Sequence, residues 1–115
     1  MAPRVSDIEF TRSAERLIAG YVDSVGALDL LLLLHSGRDR AWGANELCDA
    51  LRCPTAWVAE QIARLEAADL LVEVSDGRYR YRRGRRYGRA VDEIARACRY
   101  DRAEVTRAIF ARPPL

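Results

Sequence analysis

Seven arginines between positions 78 and 89 are the residues of this chain best suited to binding chemistry. No acidic residue interrupts that segment, so it carries a formal charge of +7 in a chain whose net charge is only +2. Such a basic stretch on an otherwise acidic chain indicates an anionic partner, of which nucleic acid is the commonest. All 19 basic residues are arginines, a choice that a GC-rich coding bias would also produce without any bearing on function.

Arginine and tyrosine alternate at the start of this segment, which predicts a β-strand with two different faces. Successive side chains of a strand point to opposite sides, so Arg78, Arg80 and Arg82 share one face. These guanidinium groups can contact phosphates or enter a narrow minor groove. Tyr79 and Tyr81 share the other face, where we expect packing against the core, with stacking on unpaired bases as the alternative. The basic patch continues through Arg83, Arg85, Arg86 and Arg89.

Enzymatic chemistry finds little support in the sequence. The single histidine, His35, ends an apolar stretch and suits a helix C-terminus better than the role of a base. Neither a glycine-rich phosphate loop nor a nucleophile motif occurs. Cys48, Cys53 and Cys98 form no CxxC pair, which argues against a disulfide framework and a structural zinc site. We therefore expect no enzyme, no catalytic residue, no cofactor and no metal; a redox-sensing role for Cys53 beside Arg52 is a minor alternative.

The spacing of apolar residues predicts the helices of the first third of the chain. Residues up to 22 repeat apolar side chains every three to four positions, as one face of a helix does. Ser24 can cap a second helix, residues 25–35, which is apolar nearly all round and should form the centre of the core. Ala41 and Trp42 then form a very short strand, and we expect Trp42 to fill the base of the sheet.

Two more helices separated by a tight break follow. Gly43 and Glu46 suit a capping box at the start of a short helix, residues 44–51. Pro54 fits the first turn of a longer helix that ends near residue 68. Two helices joined in this way have the outline of a helix-turn-helix.

The rest of the chain predicts a hairpin and two terminal helices. Residues 70–74 form a strand, an Asp-Gly turn signal follows, and the alternating arginines and tyrosines return as the second strand. Beyond Gly84 one amphipathic helix is predicted, and Asp101 with Glu104 suits the start of another. The fold class is therefore mainly α with a small β-hairpin wing.

Residues 46–82, with the sequence ELCDALRCPTAWVAEQIARLEAADLLVEVSDGRYRYR, resemble the winged helix-turn-helix of bacterial transcriptional regulators of the MarR-like and related groups. The resemblance extends over residues 24–83, and Asp69 stands where those proteins usually have glycine. It implies a winged helix-turn-helix at residues 24–83. The spacing of apolar residues adds an N-terminal helix at 1–23 and C-terminal helices at 84–115. The apolar positions that match are Leu47, Leu51, Val58, Ile62, Leu65, Leu70 and Leu71.

The resemblance also implies that the second helix of the motif enters the major groove of DNA. Its outward positions would then include Thr55, Gln61 and Arg64 for limited base reading. Glu60 and Arg64 are spaced for an intrahelical ion pair, which we favour over a contact of Glu60 with DNA. The predicted DNA-binding residues are Thr55, Trp57, Gln61, Arg64, Arg78, Arg80, Arg82 and Arg83.

These features predict a cytoplasmic transcriptional regulator that binds duplex DNA, has no membrane partner and forms a homodimer through its terminal helices. The alternative for the dimer is a monomer whose terminal helices pack on their own domain. An alternative function is a protein-interaction module in which Trp57 anchors a partner and the arginine patch docks an acidic surface. Trp57 packed inside the domain is the competing interpretation, and single-stranded nucleic acid is a third partner.

Overall fold

The computed structural model describes residues 9–110 and has a mainly helical fold with one small antiparallel sheet, as the sequence predicts. Three strands form that sheet in the order β1-β3-β2. In chain order the elements are α1 (Arg12–Tyr21), α2 (Val25–Ser36), β1 (Ala41–Gly43), α3 (Ala44–Leu51), α4 (Thr55–Ala67), β2 (Leu71–Ser75), β3 (Arg78–Tyr81) and α5 (Gly88–Phe110).

Side-chain caps fix where the first helices begin. Thr11 Oγ1 accepts a hydrogen bond from the backbone of Ala14 at 3.2 Å, and Ser24 Oγ accepts one from Ala27 at 3.1 Å. These bonds satisfy backbone N–H groups that a helix start leaves without an intrahelical partner. The N-cap of α3 is Gly43, which has no side chain to accept a hydrogen bond. Only the other half of the predicted capping box therefore forms, in which Glu46 Oε1 accepts from the backbone N–H of Gly43 at 2.8 Å.

Helix α2 lies at the centre of the core, as predicted. Its leucines Leu28, Leu30, Leu31 and Leu34 are each at most 2 % exposed. Because α2 is apolar on nearly every side, it needs neighbours all round, and α3, β3 and α5 pack against it.

The terminal helices pack on each other within one chain. Glu93 on α5 accepts hydrogen bonds from both the backbone and the hydroxyl of Thr11, at 2.9 and 2.7 Å. At the other end of α1 the rings of Tyr21 and Tyr87 meet edge to face, with centroids 5.7 Å apart. The apolar stripes of α1 and α5 are therefore covered inside the domain, and uncovered stripes no longer supply a reason for a homodimer.

Helix α5 contains a break at Asp101, whose φ of −157° and ψ of 94° are extended. Asp101 Oδ1 accepts a hydrogen bond from the backbone of Glu104 at 3.1 Å and so caps the part that follows. Two helices are thus present where the sequence predicts two. The second part packs back on the core, with Val105 and Ile109 buried and Arg102 paired with Asp29 of α2.

Both α3 and α4 end with a left-handed residue that is not glycine. Arg52 has φ of 55° and Asp69 has φ of 64°. After each of them the chain folds back on its helix, as in a Schellman motif: the backbone of Cys53 donates to the carbonyl of Cys48 at 3.2 Å, and that of Leu70 donates to Leu65 at 2.9 Å. These two reversals of the chain set the direction of α4 after α3 and the direction of β2 after α4.

Strands β2 and β3 form the predicted hairpin, residues 71–81, with Gly77 at φ of 72° in its turn. A β-bulge separates Glu73 from Ser75, and the pairing of Leu71 with Tyr81 closes the base. On its other edge β3 pairs with β1. Trp42 of β1 is 6 % exposed and fills the base of the sheet as expected.

Among residues 9–110, no single helix is both long and apolar enough to cross a membrane. Together α1 and α2 would meet those two conditions, but the chain bends by 118° between them.

Candidate nucleic-acid interface

The two faces of β3 differ as the alternating sequence predicts. Tyr81 is 7 % exposed, and Tyr79 packs partly buried against the core. Arg78, Arg80 and Arg82 are all exposed. Because the tyrosines occupy the inward face, the arginines form the outer face of the central strand.

Three of the four arginines predicted to bind DNA on or just after the hairpin contact carboxylates of their own chain. Arg78 Nη2 lies 2.7 Å from Glu46 and also donates to the carbonyl of Ala41 at 2.8 Å. Arg82 lies 3.3 Å from Asp69. Arg83, which follows the hairpin, donates two hydrogen bonds to Asp92 Oδ2, at 3.0 and 2.9 Å. Such exposed pairs are worth about 0–1 kcal/mol each, so they reduce but do not abolish the availability of these arginines for an external anion.

Four arginines of the basic run have no carboxylate partner within salt-bridge distance among residues 9–110. They stand on the hairpin and around the start of α5, and every one of them is exposed. The guanidinium of Arg86 lies over the ring of Tyr87, 5.1 Å from its centroid, which orients the group without neutralising it. Once internal pairs are set aside, the surplus positive charge lies on Arg80, Arg85, Arg86 and Arg89.

Glu46 gathers three donors at the edge of the sheet. Its carboxylate accepts from the backbone of Gly43 and from the guanidinium groups of Arg40 and Arg78. The backbone bond from Gly43 and the hydrogen bond from Arg40 lower its pKa most, to about 2, with a smaller contribution from Arg78. This carboxylate stays ionised well below neutral pH and holds Arg78 against the sheet.

Asp92 joins the end of α2 to the end of the hairpin. One carboxylate oxygen lies 3.0 Å from His35 Nε2, and the other accepts from Arg83. Burial alone would raise the pKa of Asp92, but the hydrogen bonds from His35 and Arg83 outweigh it, so the pKa lies below its ordinary value. Because an ionised carboxylate has no proton to donate, Nε2 of His35 carries the hydrogen.

Two residues predicted to face outward from α4 face the protein instead. Gln61 is 4 % exposed and cannot read a base in this position. Arg64 Nη1 lies 3.3 Å from Asp23 and 3.4 Å from the Gln61 side-chain oxygen, and Nη2 donates to Gly20. The expected pair of Arg64 with Glu60 is therefore wrong, because the closer acceptors lie at the end of α1.

The remaining outward positions of α4 carry no basic side chain. Thr55 is exposed, as predicted, and its hydroxyl lies 3.7 Å from Cys48 Sγ. Glu60 is exposed and adds a negative charge, and the other outward residues are mostly alanines. This helix offers Thr55 as its one polar uncharged group for a base edge, so phosphate contacts have to come from elsewhere.

Trp57 packs inside the domain. A methyl group added to Gly26 would lie 3.3 Å from Cη2 of Trp57, so the indole ring covers the first turn of α2. The tryptophan is partly buried against the core. The interpretation of Trp57 as packed inside the domain therefore agrees with the structure better than its use as a docking anchor.

The sequence pattern did not predict the acidic partners of the arginines, above all Glu46 and Asp92. Arg78 and Glu46 are 32 positions apart, and Asp92 pairs both with Arg83, nine positions away, and with His35, 57 positions away. No local pattern marks such distant partners. The burial of Gln61 could have been predicted from the sequence. Gln61 stands three residues after Val58 and one before Ile62, and therefore lies on the apolar stripe of α4.

The described part of the chain offers no group of three or more His, Cys, Asp or Glu side chains placed to hold a metal ion. Burial raises the pKa of the Cys98 thiol, which disfavours its thiolate. Cys53 Sγ donates a hydrogen bond to the carbonyl of Leu51 at 3.4 Å, in the break between α3 and α4.

Known proteins add no further guide to this interface. Comparisons with models of protein families, with curated proteins and with solved structures find no match for this chain.

Proposed function

We propose that this protein is a winged helix-turn-helix regulator of transcription that binds duplex DNA through its hairpin and the start of α5. The order of elements supports this fold assignment: a short strand precedes the two-helix unit, and a hairpin that pairs with that strand follows it. In winged helices the second helix and the hairpin approach the DNA from one side. Here the hairpin carries the positive charge.

The observation that carries the proposal is the set of four exposed arginines that have no carboxylate partner among residues 9–110. Phosphate contacts supply most of the affinity for non-specific duplex, and each releases condensed counterions. Arg80 on β3 and Arg85, Arg86 and Arg89 beside it are free for such contacts. Base reading by α4 is limited to Thr55, because Gln61 and Arg64 face inward. We therefore expect binding with strong salt dependence and weak sequence preference.

A salt titration with a random-sequence duplex tests the proposal. Four phosphate contacts predict a slope of about −3.6 in a plot of log affinity against log salt concentration. Replacing Arg80, Arg85, Arg86 or Arg89 by alanine should flatten that slope by about 0.9 for each substitution. Arg107→Ala is the matched control, because it also removes one charge but lies near the far end of α5 and pairs with Glu104.

Absence of duplex binding at low salt would overturn the proposal. So would equal flattening by Arg107→Ala, which would mean that net charge alone governs binding. The competing function is docking of an acidic protein surface on the same arginines, and it predicts no affinity for duplex at any salt concentration. A homodimer remains a separate prediction, and sedimentation equilibrium of the free protein tests it.

A further inference from the structure

A cavity of about 550 Å³ opens beside the base of the hairpin, among the end of α2, β3 and the first part of α5. Its wall includes Arg38, Arg80 and Arg83 together with His35 and Tyr81. Two carboxylates, those of Asp39 and Asp92, complete the charged lining. The volume falls within the range of small-molecule sites.

The hydroxyl of Tyr81 is a buried polar group in this wall with no hydrogen-bond partner in the described part of the chain. Tyr81 as a residue is more than nine-tenths buried. Tyr81 lines the cavity, and so do Asp92, Arg83 and Arg38, whose charges act on its hydroxyl. Burial is the main reason that its pKa is raised to about 12, and the group therefore remains a hydrogen-bond donor at neutral pH.

The charges of the cavity do not balance. Asp92 is already matched by Arg83, which donates to it twice, and by His35. Arg38 and Arg80 then face only Asp39, and no salt bridge joins either arginine to a carboxylate among residues 9–110. One positive charge and one hydroxyl donor are left over among the residues that line the cavity.

We propose that this cavity binds a small oxyanion, the phosphate or carboxylate group of a small molecule, with the Tyr81 hydroxyl, Arg38 and Arg80 as its donors. Both arginines are exposed, so their guanidinium groups can turn toward an anion in the cavity. An acceptor oxygen there would satisfy the buried hydroxyl donor of Tyr81, and the guanidinium groups would neutralise the charge of the anion.

Oxyanion binding would also compete with DNA, and this consequence rests on the proposed function. Arg80 is one of the four arginines assigned to phosphate contact, and a guanidinium held by the bound oxyanion is withdrawn from the duplex. The small anion would thus act as a negative regulator. We expect it to flatten the salt slope of DNA binding by about 0.9, the contribution of one contact.

The test is a titration of the free protein with inorganic phosphate, followed by NMR at ionic strength held constant with sodium chloride. A parallel titration with acetate distinguishes a preference for phosphate from one for carboxylate. We expect saturable shifts at the side chains of Arg38, Arg80 and Tyr81. Tyr81→Phe should weaken binding of the preferred anion about tenfold, the effect of one charge-assisted hydrogen bond, and Arg38→Ala should weaken it similarly.

Matched variants separate a binding role of Tyr81 from a structural one. Tyr81→Phe removes a hydroxyl that has no partner, so its Tm should equal or exceed that of the parent protein. Tyr79→Phe, on the same face of β3 but outside the cavity wall, should leave anion binding unchanged. Equal affinity in the parent and Tyr81→Phe overturns the site, as do shifts that rise linearly and spread over Arg85, Arg86 and Arg89.

Failure of the two proposals can be told apart, because the NMR titration contains no DNA. Saturable phosphate or acetate binding without any duplex binding supports the cavity site and overturns the DNA proposal. Duplex binding without saturable binding of either anion supports the DNA proposal and overturns the cavity site.

Discussion

Arg64 Nη2 donates a hydrogen bond of 2.6 Å to the carbonyl oxygen of Gly20, so a guanidinium from the last turn of α4 lies against the end of α1. That carbonyl belongs to the last turn of α1, where backbone acceptors have no intrahelical donor. Asp23 adds a charged acceptor at 3.3 Å, and the ring of Tyr21 lies beneath the guanidinium. The only basic side chain of α4 therefore stabilises the packing of two helices instead of extending the exposed basic surface.

Arg64→Ala should lower the free energy of unfolding by about 1–2 kcal/mol, since it removes hydrogen bonds from a charged group that is only partly exposed. Urea denaturation measures this change. The salt slope of duplex binding should stay as in the parent protein. A flatter slope with unchanged stability would instead place Arg64 at the DNA.

The low pKa of Glu46 predicts acid sensitivity of the sheet edge. Its pKa of about 2 in the folded protein lies below the ordinary value of 4.5, so its contribution to stability is complete above that ordinary value. The contribution is lost as pH falls through the interval between the two values. Glu46→Gln should therefore be less stable near neutral pH and should lose less stability on acidification. Urea midpoints measured from pH 6 to pH 2 check this, with the exposed Glu60→Gln as control.

Glu46→Gln should also strengthen binding to DNA. The carboxylate holds Arg78 at 2.7 Å, and removal of its charge releases that guanidinium for a phosphate. The salt slope should become steeper by about 0.9, whereas Arg78→Ala in the parent protein should change it little. Identical slopes for Glu46→Gln and the parent protein would show that Arg78 does not reach the duplex.

The left-handed backbone of Arg52 predicts a stabilising substitution. Its φ of 55° costs an ordinary L-residue about 1–2 kcal/mol, and glycine avoids most of this cost. Glycine also makes the unfolded chain more flexible, so the net gain for Arg52→Gly should be about 0.5–1 kcal/mol. Thermal and urea denaturation measure it. Arg52→Ala, which removes the same side chain but keeps the strain, should be nearly neutral.

Packing of Trp57 over Gly26 predicts that Trp57→Ala is destabilising. The indole covers the first turn of α2, and its removal exposes apolar surface there, at a cost of about 2 kcal/mol for a partly buried ring. A lower urea midpoint is the expected result. If the tryptophan served only to dock a partner, the midpoint would not change.

Features that depend on a few neighbouring residues could be predicted from the sequence. Ser24 caps α2 and Asp101 caps the end part of α5, because a side chain and a backbone N–H three residues later meet in any helix start. The tyrosines of β3 face inward and its arginines outward, because strand side chains alternate. The helices, the three short strands and the basic surface of the hairpin all rest on such local rules.

Gly84 shows the limit of those rules. In the sequence it marks a boundary between the hairpin and a helix. In the structure a Cβ at this position would lie 2.3 Å from the carbonyl oxygen of Asp69, so only glycine allows the end of α4 and the end of the hairpin to approach this closely. The approach of two distant segments is invisible in a local pattern.

The sequence by itself determined the order of the elements, their caps and the segment that carries the positive charge. Only the tertiary structure decided which arginines of the basic run lack a carboxylate partner among residues 9–110. Glu46 and Arg78 lie 32 positions apart, and the pairing of Asp92 with Arg83, nine positions away, follows no helix or strand spacing. It also decided the rotation of α4, which buries Gln61 and turns Arg64 toward Gly20. Helix and turn geometry arise from contacts a few residues apart, whereas side-chain partners and helix rotation depend on how the completed core packs.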